Sequence, residues 1–164
     1  MEPVLHLAVR PQWDEVDAAR NQAVSFLRGH GFGEATIQAT EMVMCELTEN
    51  ATKYGDFQEK TARPVTIAIT VQGATVTVEV RSPVATPHDE HLRRLDRAVQ
   101  WIRGFQNPFE AYVERLKEVS AQSLESGESG LGLVRIAYEG QSILDFFMPE
   151  QNVLSVSAVH RSQA

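Results

Sequence analysis

One cysteine, Cys45, is the only thiol among 164 residues. A single thiol excludes an internal disulfide and a thiolate-rich zinc site, and it fits a reducing compartment. Basic residues are also scarce, 15 Lys and Arg against 22 Asp and Glu, for a formal charge of −7. General nucleic-acid binding and attachment to an anionic membrane both need a basic face, so neither is expected; a local basic pocket remains open. The longest uncharged stretch, Pro64 to Val78, is rich in threonine and carries Gln72 and Gly73. It falls short of the roughly 20 apolar residues of a membrane span. At the N-terminus Glu2 stands where a signal peptide would carry positive charge, so the expected location is cytoplasmic. No linker, repeat or low-complexity segment divides the chain, and one domain over residues 1–164 is expected.

What is present is periodic. Val4 to Val9 reads as a first strand. Trp13, Val16, Ala23 and Leu27 then share one face of a helix that stops at His30-Gly31. A second helix from about Glu34 to Tyr54 carries a core stripe of Ile37, Met44, Leu47, Ala51 and Tyr54. The period changes to two at Val65, Ile67 and Ile69 and again at Val76, Val78 and Val80, with Gly73 between, which predicts an antiparallel hairpin.

Helices resume after Thr86-Pro87-His88-Asp89 and again after Asn107-Pro108-Phe109-Glu110, both with start chemistry of a capping side chain, a proline and an acid. Ser120 to Ser129 reads as a loop and Leu131 to Tyr138 as a short helix. Ser142 to Phe147 and Val153 to Val159 read as strands. The order β-α-α-β-β-α-α-α-β-β predicts an α/β (α+β) two-layer sandwich, a mixed or antiparallel sheet with helices on one face. Strands do not alternate singly with helices, which argues against a Rossmann fold.

Two features could carry chemistry. Beside the core stripe of the second helix, Val43, Glu46, Asn50 and Lys53 form a second column at offsets of three, seven and ten. A carboxylate, an amide and an ammonium there could hold a metal, a water and phosphate oxygens, or could simply solvate the helix. Gly127-Glu128-Ser129-Gly130-Leu131-Gly132-Leu133 runs from a loop into a helix, where unpaired N–H groups attract phosphate; an ordinary loop-to-helix junction has the same look.

Taken together, Glu46-Leu47-Thr48-Glu49-Asn50-Ala51-Thr52-Lys53-Tyr54 and the later Gly130-Leu131-Gly132-Leu133 resemble the N-box and second glycine box of the GHKL ATPase superfamily. The resemblance implies a histidine-kinase-like ATPase fold with a helical lid insertion over about residues 86–122. It implies that Glu46 is the general base, that Asn50 coordinates Mg²⁺, and that Lys53 meets phosphate. The N–H groups around Gly130, Leu131, Gly132 and Leu133 would wrap the polyphosphate of ATP. The sequence departs from the family at one place. Where the family carries Asp-x-Gly-x-Gly to bind the adenine amino group, this chain reads Val80-Arg81-Ser82-Pro83-Val84-Ala85, with Ser82 at the aspartate position. Low or lost ATP affinity is the consequence to test.

Within the superfamily the chain is most similar to the SiaB-like bacterial regulators, related to anti-sigma serine kinases. They share the altered first glycine box, two lid helices with a tyrosine in the second (here Tyr112), and a Gly-Leu-Gly-Leu box. That resemblance implies Mg-ATP-dependent phosphorylation of a Ser or Thr on a STAS-like, anti-anti-sigma-type partner. The alternative is a degenerate module that only binds its partner, and a weaker one is ATP hydrolysis without a protein substrate. A homodimer is compatible with the family. A histidine kinase fits poorly, since no helical hairpin with a phospho-acceptor histidine accompanies the domain.

Other candidates weigh less. His88-Asp89-Glu90-His91 has metal-ligand spacing on a helix but no further ligand cluster, so a surface helix start is the simpler reading. Arg93, Arg94, Arg97 and Arg103 make the lid helices locally basic, as a solvated face or as contacts to nucleotide or partner. Cys45 has no base at a useful spacing and reads as a packed thiol. Ser123, Ser126 and Ser129 show no Ser–His–Asp pattern.

Overall fold

The structure is a computed structural model that describes residues 1–10, 12–54, 64–84, 90–121 and 131–163. Its elements follow the expected order: β1 (Val4–Val9), α1 (Trp13–Gly29), α2 (Glu34–Tyr54), β2 (Val65–Gln72) and β3 (Thr75–Pro83), then α3 (Glu90–Arg103), α4 (Pro108–Ala121), α5 (Leu131–Tyr138), β4 (Ser142–Glu150) and β5 (Val153–Arg161). The strands form one sheet in the order β1-β2-β3-β5-β4, and every pairing is antiparallel. Of the two sheet types expected, the antiparallel one forms.

Alternation builds the sheet's inner face. Val65, Ile67 and Ile69 of β2 and Val76, Val78 and Val80 of β3 are buried, with Leu154 and Ala158 of β5 and Leu144 of β4. Thr66, Gln72 and Ile143 are exposed, as the period of two requires. The β2–β3 register pairs Gln72 with Thr75 and leaves Gly73-Ala74 as a two-residue turn. Gly73 has φ +58°, which a glycine supplies without cost in hairpin turns of this length.

The α1–α2 corner closes on the signal expected of it. His30 caps α1, Gly31 sits at φ +80°, the Gly31 N–H donates to Arg28 O, and the Phe32 N–H donates to Leu27 O. That is the Schellman pattern, which satisfies the last carbonyls and turns the chain back along the sheet. The helix α2 packs over β2, β3 and β5, whereas α1 lies on β1 and α5 on β4. Its stripe of Ile37, Met44, Leu47 and Ala51 is buried.

One core expectation fails. Trp13 is 77% exposed. At about 100° per residue it lies roughly 80° from the centre of the Ala19–Ala23–Leu27 stripe, and it opens the helix, where little packs beside it. Helices α3 and α4, the expected lid, pack on α5 and on each other. At the start of α4 the Glu110 N–H donates to Asn107 Oδ1 at 3.0 Å, the expected cap. The other start signal, Thr86 to Asp89, lies outside the described residues, as do most of the Ser120–Ser129 loop and Gly130.

Candidate functional site

The column on α2 emerges from the core along its length. Val43 is buried, Glu46 and Asn50 are half-buried, and Lys53 is exposed in the last turn, where an ammonium complements the helix dipole. Against this column lies α5. Two glycines set how closely it approaches. A Cβ at Gly132 would stand 2.6 Å from Glu46 Oε2, and one at Gly140 would stand 2.7 Å from Val43 Cγ2 and 2.6 Å from Ile136 O. The segment therefore crosses α2 with Gly132 on Glu46 and Gly140 on Val43.

This contact brings together the two motifs expected to form one site. Leu131, Gly132 and Leu133 form the first turn of α5, with Gly132 directly on Glu46. Gly130 lies outside the described residues. Ser82 is buried, on the helix-facing parity of β3 and paired across the sheet with Leu154.

Glu46 has a partner that the sequence did not single out. Arg135 Nη1 donates to Glu46 Oε1 at 2.8 Å, and its Nε donates to Glu139 Oε2 at 3.1 Å. Tyr112 of α4 in turn donates its hydroxyl to Glu139 Oε1 at 3.4 Å. Burial pushes the Glu46 carboxyl above its usual range; Arg135 pulls it down, and Glu49 and Glu139 push it further up. The only local sign of Arg135 is its i,i+4 spacing to Glu139, common on any solvated helix.

The remaining candidates are placed as follows. Burial raises the Cys45 thiol above its ordinary value, with Arg20 opposing and Glu41, Asp17 and Glu46 assisting. Arg103 donates to Leu144 O at 2.6 Å and lies 3.7 Å from Asp145 Oδ1, tying α3 to edge strand β4. Arg94 pairs with Glu90 at 3.4 Å, while His88 and Asp89 lie outside the described residues. No cluster of three His, Cys, Asp or Glu able to hold a metal occurs among the described residues. None of the described helices is long and apolar enough to cross a membrane.

An antiparallel five-stranded sheet, helices on one face, and a polar helical column abutting a glycine-led helix define a histidine-kinase-like ATPase fold. The sequence profile of the histidine kinase-like ATPase domain matches residues 9–143, and the chain belongs to that family. Its fold is similar to the crystal structure of the SiaB–SiaC complex from Pseudomonas aeruginosa, with a TM-score of 0.71 at 18% identity, covering 96% of this chain and 88% of that one. No curated protein matches the sequence.

Proposed function

We propose that the protein is a partner-switching kinase that binds Mg-ATP and phosphorylates a Ser or Thr of a STAS-like partner. The observation that carries this reading is the seating of Gly132 at the head of α5 on the Glu46 carboxylate of α2. The solved complex of a structurally similar chain with SiaC supports a protein partner.

The residues present suit a metal and phosphates. Asn50 offers the neutral hard oxygen that Mg²⁺ accepts, Lys53 lies one turn further along α2 as a cation, and Gly132 brings the start of α5 against Glu46 without a side chain between them. Bound Mg²⁺ would neutralise charge developing on the phosphoryl group. Glu46 would accept the proton of the acceptor hydroxyl. The hydroxyl oxygen then bonds to the γ-phosphorus, the bond from phosphorus to the β,γ-bridging oxygen breaks, and ADP leaves. A carboxylate whose pKa is raised by burial is a stronger base than an exposed one, which suits this role. Lys53 and the first N–H groups of α5 would hold the polyphosphate in line.

Calorimetry with ATP and Mg²⁺ tests the reading, alongside label transfer to a STAS-like protein. Binding, transfer lost in Glu46→Ala, and loss of Mg²⁺ dependence in Asn50→Ala are expected. Absence of binding at millimolar nucleotide would leave the second reading, a module that only docks to its partner. Ser82 at the adenine position favours that alternative.

A further inference from the structure

Glu46 is not free in its site. Its side chain is 19% exposed, and the neighbouring guanidinium of Arg135, itself 40% exposed, is the cation at its Oε1. This is not one of the open surface pairs that contribute next to nothing, because the carboxylate is largely out of water and loses screening. Arg135 stands one helical turn beyond Gly132, so both residues meet the same carboxylate: Gly132 makes room at Oε2 and Arg135 engages Oε1. The other edge of the guanidinium holds Glu139, and Glu139 accepts the Tyr112 hydroxyl from α4. The rings reinforce that route. Tyr112 packs on Tyr138, and Tyr138 on Phe109, each with centroids 5.2 Å apart. Helices α2 and α5 thus meet at one guanidinium, and α4 reaches it through Glu139.

We propose that Arg135 is the positioning residue of this site, fixing the Glu46 carboxylate from α5 and tying it through Glu139 and Tyr112 to lid helix α4. The proposal deepens the kinase reading and rests on it for its kinetic part. A carboxylate held by one bond from a rigid helix keeps the orientation that proton abstraction needs. Because the same guanidinium is linked to α4 through Glu139 and Tyr112, displacement of the lid changes how firmly the base is held. Arg135 acts through Glu46, so its removal changes the rate of the chemical step more than nucleotide affinity.

The test uses Arg135→Met, Arg135→Lys and Tyr112→Phe in the full chain, with Mg-ATP and water as acceptor. In Arg135→Met, kcat falls by about tenfold or more while KM for ATP stays within roughly twofold, and Arg135→Lys recovers most of the loss. Tyr112→Phe lowers kcat in the same sense by a smaller factor. A rise in KM at unchanged kcat would make Arg135 a phosphate ligand instead, and no change in either would reduce it to a surface pair; both overturn the proposal. A second arm needs no nucleotide: amide hydrogen exchange across α4 in wild type, Arg135→Met and Glu46→Gln. Faster exchange over residues 108–121 in both variants, with the sheet unchanged, supports the tie, and unchanged exchange refutes it. If wild type neither binds nor turns over ATP, the kinase reading fails, and the exchange arm alone decides whether the link between α2, α5 and α4 exists.

Discussion

Gly132 lies so close to Glu46 that a Cβ on it would stand 2.6 Å from the carboxylate oxygen Oε2. The obstructing atom is the end of a flexible side chain, so a methyl at 132 would displace the carboxylate rather than the backbone. Alanine also gains about 0.5–1 kcal/mol over glycine inside a helix. Gly132→Ala is therefore expected to melt within a few degrees of wild type while losing the Glu46–Arg135 pair and, with it, the ATP turnover proposed above. A thermal melt and a turnover assay on the same sample check both halves.

Gly140 gives the opposite expectation at the other end of the same crossing. There a Cβ would meet the Ile136 carbonyl at 2.6 Å and Val43 Cγ2 at 2.7 Å, and neither the backbone nor a packed valine can swing away. Gly140→Ala should cost roughly 1–3 kcal/mol, the usual penalty for overpacking. Urea unfolding with an unchanged m-value is the appropriate measurement, and a midpoint equal to wild type would mean that α5 can slide on α2.

The contrast shows where the sequence was legible. The stripe of α2, the hairpin about Gly73 and the end of α1 were readable because each is encoded within a few residues by a period or a positive φ. Val43, Glu46, Asn50 and Lys53 were readable as a column for the same reason. Arg135 was not. Its spacing to Glu139 looks like any exposed helical pair, and its contact with Glu46 spans 89 residues, set by how Gly132 and Gly140 seat α5 on α2. Trp13 escapes such a reading, because apolar character and approximate phase do not say whether the first residue of a helix is covered.

The buried carboxylate carries a pH signature. Because burial raises Glu46 above its unfolded value, against the pull of Arg135 and with Glu49 and Glu139 adding to it, the folded state binds this proton more tightly than the unfolded chain. The associated stability is fully present below the unfolded pKa and is lost as pH rises through the folded one. Glu46→Gln cannot ionise. The difference in urea midpoint between wild type and Glu46→Gln should therefore shift in favour of the variant as pH rises from 4 to 8. A flat difference would mean that the carboxylate is solvated in solution.

Cys45 should behave as a packed thiol. Burial raises its pKa and thereby lowers the thiolate fraction at neutral pH. Reaction with a disulfide reagent at pH 8 is expected to be slower in the native protein than in the urea-unfolded chain. Equal rates would place the thiol in open water.

Ser82 offers the sharpest probe of the proposed adenine position. It is buried on the helix-facing side of β3, and Ser82→Asp would place there the carboxylate that the resemblance calls for. Without nucleotide, taking that charge out of water should lower stability by about 1–3 kcal/mol or more. If the adenine amino group occupies this position, ATP supplies a donor to the carboxylate. Melting curves should then show a low apo midpoint that ATP raises further than it raises wild type, whereas GTP, with a carbonyl at that ring position, should give no such gain. An equal response to both nucleotides would place Ser82 away from the purine.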